Sequence, residues 1–229
     1  MGRELVYGRD GLIAREAGDY ARKKLAFIEF FAPPAIDATE RKVHRFYIDL
    51  FAGPGLNVVR ETKEEIEAGA LTILRSRGHR RPDLSFTHAH LVNLDPADHQ
   101  ALRSRVDRLV AAHLCMVPAG NIEHHLGDAN FLTKKLLAHA DKRDYVLVFA
   151  DIEAPRQLPW ETVRSLRTYG HESVDLYILF PLEMGLNRLT SYQEMQPGHA
   201  EIITRFYGDE TWRPILSNRI SGNRSSRAT

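Results

Sequence analysis

The 229-residue sequence has one cysteine, two tryptophans and almost no net charge, with 31 Lys and Arg against 30 Asp and Glu. A lone Cys115 excludes an intramolecular disulfide and a cysteine metal cluster, and it fits a reducing, cytoplasmic setting. Charge near zero removes any whole-molecule case for nucleic-acid or membrane binding, so local patches must carry such a case. Long hydrophobic runs are missing too. Stretches such as Tyr145 to Ala150 are strand-length, far below the roughly 20 residues of a membrane span, and no membrane partner is expected. Residues 1–24 mix Arg, Glu, Asp and Lys without the apolar run of a secretory signal. No internal repeat or low-complexity block is evident.

What is present is 43% hydrophobic and 27% charged residues, the composition of a globular protein with one core. Residues 15–31 show helical spacing of Tyr20, Lys24, Phe27, Ile28 and Phe31, which Pro33-Pro34 is expected to stop. Strands are expected at 46–51, 90–94, 122–125, 145–150 and 174–180, and helices at about 63–75, 98–113, 131–140, 160–169 and 200–207. Residues 56–62 read as loop. Strands alternating with helices, with no hairpin spacing, predict a doubly wound, mostly parallel α/β sheet of Rossmann-like type with helices on both faces. The expected division is an N-terminal helical segment over 1–45, packed on the core, an α/β domain over 46–216, and a flexible basic tail over 217–229.

Open parallel sheets bind ligands beyond the carboxyl ends of their strands. The first strand ends in Asp49-Leu50-Phe51-Ala52-Gly53-Pro54-Gly55, a turn that lets backbone N–H groups approach a ligand. Asp95 ends the second strand and suits ribose hydroxyls, Asp128-Ala129 follow the third and suit a purine edge, and Asp151 ends the fourth. A dinucleotide site wants a third glycine opening a helix, whereas Val58 stands there in an expected loop. S-adenosylmethionine carries no phosphate and has a cationic sulfonium, so a glycine turn flanked by Asp49 and Asp151 suits it better.

The run Tyr47-Ile48-Asp49-Leu50-Phe51-Ala52-Gly53-Pro54-Gly55 resembles the opening motif of the three-Cys-motif partner family, whose fold is that of class I S-adenosylmethionine-dependent methyltransferases. Lys23-Lys24-Leu25, Gly69-Ala70-Leu71, Pro159 to Val163, Leu186-Asn187-Arg188 and Phe206-Tyr207-Gly208 with Trp212 extend the resemblance over about residues 20–215. It implies a cofactor site at Asp49, Phe51, Ala52, Gly53, Pro54, Gly55, Asp95, Asp128 and Ala129, with Asp151 as the catalytic carboxylate. Where the family has Asp-Pro-aromatic-Gly after strand four, this chain has Asp151-Ile152-Glu153-Ala154. Two readings follow: a methyltransferase with a nucleic-acid acceptor, or a cofactor-binding but inactive module that docks a three-cysteine-motif partner protein.

The remaining features have plainer readings. Asp95 and Asp128 suit helix caps. The basic run Arg75 to Arg81, with Arg103, Arg105 and Arg108, reads first as a solvated face and second as a phosphate contact. No metal site is expected: His124 and His125 are adjacent on a strand and point to opposite faces, and His88 and His90 share a face without an obvious third ligand.

Overall fold

The computed structural model describes residues 5–168, 172–180, 189 and 197–214. In chain order its elements are β1 (Val6–Tyr7), β2 (Ile13–Ala17), α1 (Tyr20–Ala38), β3 (Arg45–Asp49), β4 (Leu56–Val59), β5 (Glu65–Glu67), α2 (Gly69–Leu74) and β6 (His88–Asn93). There follow α3 (Pro96–Ala111), β7 (Ile122–Leu126), α4 (Ala129–Leu137), β8 (Tyr145–Asp151), α5 (Trp160–Thr168), β9 (Ser173–Leu179) and α6 (Pro197–Tyr207). The principal sheet is parallel, in the order β7-β6-β3-β8-β9, and helices flank it. This is the Rossmann-like, doubly wound α/β fold that the alternation of strands and helices predicts.

The two central strands carry the core because both their faces are covered. Every residue of β3 is buried, and Val146, Leu147 and Val148 of β8 are at most 1% exposed. Burying each such side chain contributes about 2 kcal/mol.

Two expectations need correction. The N-terminal segment is not purely helical, since β1 and β2 precede α1 and join β4 and β5 in a second sheet of order β1-β2-β4-β5. There β1 pairs antiparallel with β2, β2 parallel with β4, and β4 antiparallel with β5, so residues 56–67, expected as loop and helix, are largely a hairpin. Pro33 and Pro34 also fail to stop the first helix, which runs through them to Ala38. Interior proline costs about 3 kcal/mol, but Ile28, Ala32, Pro33 and Ile36 are all buried, and packing outweighs the lost backbone bonds.

Chain contacts divide the protein into two units, one of residues 1–151 and 169–177, the other of 152–168 and 178–229. Within the second, α5 and α6 pack together, and Gly208 lies so close to Trp160 that a Cβ would stand 2.2 Å from the indole. The expected tail at 217–229 and the Leu186-Asn187-Arg188 segment lie outside the described residues. No described helix is long and apolar enough to cross a membrane.

Candidate functional site at the carboxyl edge

From β3 the sheet grows one way through β6 and β7 and the other way through β8 and β9, so the strand order switches between β3 and β8. Ligands of such sheets bind outside the carboxyl ends at that point. Asp49 and Asp151 end the two strands concerned.

Asp49 is 1% exposed. It accepts hydrogen bonds from the Tyr47 hydroxyl at 2.7 Å and the Phe51 N–H at 3.1 Å. Burial pushes its carboxyl pKa up to about 7, and the charge of Asp151 adds to that rise, while the Tyr47 and Phe51 bonds and Lys24 oppose it. Asp151 is ion-paired with Lys24 of α1, and both side chains are mostly buried.

The turn after β3 is tied down on all sides. Ala52 N–H donates to Val92 O at 3.0 Å, the Asn93 amide to Gly53 O at 3.1 Å, and Ala68 N–H to Gly55 O at 2.9 Å. The buried Arg105 guanidinium donates to Pro54 O at 2.6 Å and to Asp10 and the carbonyls of Leu12 and Ile13. The loop is thereby held toward the end of β6 and joined to the β1–β2 hairpin. Gly53 and Gly55, at φ +63° and +85°, take the left-handed backbone conformation that glycine tolerates best.

A cavity of about 10 Å³, room for about one water, lies at this edge. Of the sequence-predicted residues, Asp49, Phe51, Ala52, Gly53, Pro54 and Asp151 line it. Gly55, Asp95, Asp128 and Ala129 do not. Gly55 faces Leu102. Asp95 caps α3, its Oδ1 accepting from the N–H groups of Ala97 and Asp98 at 2.7 and 3.3 Å. Asp128 caps α4 through Asn130 N–H at 2.8 Å, and Ala129 is the buried first residue of that helix.

Sequence reasoning missed Arg15, Lys24 as a site group, Asn57, Gly69 and Phe149, all of which line the cavity. The Arg15 guanidinium lies 3.1 Å from where a Cβ on Gly53 would stand. A Cβ on Gly69 would meet Ile28 at 3.0 Å and Phe149 at 3.4 Å. The Asn57 side-chain nitrogen is buried without a hydrogen-bond partner. The cavity as it stands is far smaller than a nucleoside.

The basic run is largely engaged within the protein. Arg75 pairs with Glu67 and Arg81 with Asp83, while Asp37 accepts the N–H groups of His79, Arg80 and Arg81. Those backbone bonds, that of Arg80 foremost, hold the Asp37 carboxyl below its usual range.

A second group of titratable side chains lies on the β6–β7 flank. His90 pairs in register with Glu123, and Val92 with His125, so His90, Glu123 and His125 share one face. His124 lies on the other, its ring edge-on to His99 of α3 at 6.0 Å. Burial, with the neighbouring His125, His139 and His88, drives His90 down to about 3.

No family model and no curated protein match this chain. Among solved structures, a conserved hypothetical protein from Streptococcus pyogenes is 15% identical over 67% of this chain and 81% of its own, with a TM-score of 0.35.

Proposed function

We propose that the carboxyl edge binds S-adenosylmethionine and that the protein transfers its methyl group to a nucleic-acid acceptor, as the resemblance to the three-Cys-motif partner family implies. The observation that carries this reading is the pair of carboxylates, Asp49 and Asp151, on either side of a glycine turn at the strand-order switch. The buried Asn57 side-chain nitrogen, which has no hydrogen-bond partner, offers such a ligand a donor.

S-adenosylmethionine supplies an electrophilic methyl group when bound. The chain's own residues have separate tasks. Asp49 and the 51–54 turn hold the ligand, and Asp151, released from Lys24, positions the acceptor and takes its proton. The exposed arginines beyond the internal ion pairs supply the phosphate contacts of the acceptor.

One observation favours the second reading, a partner-docking module for a three-cysteine-motif protein: the cavity has room for about one water. Calorimetric titration with S-adenosylmethionine and S-adenosylhomocysteine tests the cofactor. Binding should vanish in Gly53→Asp, and absence of binding by the wild type at high micromolar ligand overturns the proposal. Labelled-methyl transfer to DNA and RNA then separates the two readings. Turnover lost in Asp151→Ala with binding retained supports the enzyme, and binding without any turnover supports the module.

A further inference from the structure

We propose that His90, Glu123 and His125 form a binding site for one divalent ion of the zinc class, distinct from the carboxyl edge. The donor atoms converge. His90 Nδ1 is 3.1 Å from His125 Nε2, Glu123 Oε2 is 3.8 Å from that His90 nitrogen, and the same oxygen is 3.6 Å from His125 Nε2. The circle through three points so separated has a radius of about 2.0 Å, so a single position lies at bonding distance from two imidazole nitrogens and a carboxylate oxygen.

The chemistry of the set agrees with its size. Two neutral imidazoles and one carboxylate form a donor set that zinc takes with a fourth position left open. A structural hydrogen bond accounts for the His90–His125 contact alone. It does not account for the carboxylate oxygen lying near both nitrogens.

The backbone fixes the arrangement. Adjacent parallel strands put residues 90 and 123 side by side, and 125 follows 123 on the same face. His90 is buried and His125 mostly so, whereas the Glu123 side chain is 49% exposed, which leaves an entry path from solvent. His139, just beyond α4, stands at the rim: its Nδ1 is 3.7 Å from Glu123 Oε1, and its ring meets His90 edge-on at 4.9 Å. It is placed to hold the carboxylate in line.

Titration of the full chain with Zn²⁺, and with Co²⁺ as a spectroscopic substitute, tests the site. The wild type should bind one equivalent, with the intense visible bands of low-coordinate Co²⁺. Glu123→Gln and His125→Ala should each weaken binding by roughly tenfold or more, as loss of a ligand does. The exposed His79→Ala should change nothing. Glu123 is half-exposed, so its replacement spares the fold, and an unchanged circular dichroism spectrum verifies that. Binding of less than one equivalent, or affinity unaltered in both ligand variants, overturns the proposal.

Discussion

Asp49 and His90 lie on the paired strands β3 and β6, each 1% exposed, and the same burial acts on them in opposite senses. It drives the acid toward its protonated form near pH 7 and keeps the base unprotonated far below that pH. Both groups are thus pushed toward their uncharged forms, for one reason: a charge in low dielectric is costly unless a partner stands beside it. The regions differ in what neighbours the neutral group. Around Asp49 there are a paired Lys24–Asp151, two glycines and almost no free volume. Around His90 there are a second imidazole, His125, at 3.1 Å and the carboxylate of Glu123, half-exposed to water. The first arrangement is closed in on itself, and the second is open to solvent through Glu123.

The largest effect expected from this contrast is a pH dependence that belongs to Asp49. Its folded-state pKa, about 7, lies above the ordinary carboxyl value of 3.8, so between those values the folded state holds a proton that the unfolded chain has released. The resulting stabilisation is fully present below about pH 4 and is lost as the pH rises through about 7, a difference of about 4 kcal/mol for a shift of that size. Urea unfolding of the wild type and of Asp49→Asn across pH 4 to 8 measures it. The wild type should lose stability relative to the variant as pH rises, and a constant difference between the two would show that Asp49 is ionised throughout.

Next in size is the removal of Lys24. Lys24→Met leaves Asp151 uncompensated beside Asp49, at a cost of about 2 kcal/mol, below the full value for a buried pair because both side chains keep some exposure. It also takes away a charge that lowers the Asp49 pKa, so the pH at which stability falls should move upward. Adding Asp151→Asn should restore most of the loss. If the two substitutions were instead additive in equilibrium unfolding, the pair would not be coupled.

The five strands of the principal sheet are readable because buried parallel strands are near-continuous apolar runs, Tyr145 to Ala150 above all. The second sheet is not, since β1 has two residues and β5 is Glu-Ile-Glu, too short and too polar for any period to register. At the carboxyl edge, Asp49, the turn and Asp151 are legible because each sits at the end of its own strand. Lys24 is separated from Asp151 by 127 positions, and nothing local to either residue announces the pairing. The histidine group is hidden for the same reason. Adjacency in sequence points to His124 and His125, whereas the register of β6 against β7 unites His90 with His125 across an intervening helix.

The last comparison concerns the two glycines, of which Gly53 carries the smallest effect. At Gly55 a Cβ would stand 2.9 Å from Leu102, a fully buried side chain with nowhere to go, on a backbone at φ +85°. Gly55→Ala should therefore cost about 2 kcal/mol, one part for the left-handed backbone and one for overpacking. At Gly53 the backbone strain is similar, but the nearest atoms belong to the far end of the Arg15 side chain, which can rotate away, so Gly53→Ala should cost only about 1 kcal/mol. Urea midpoints of the two variants test the difference. Equal costs would mean that Arg15 is as immobile as Leu102, and the cavity beneath it would then stay at the size of one water whatever ligand is offered.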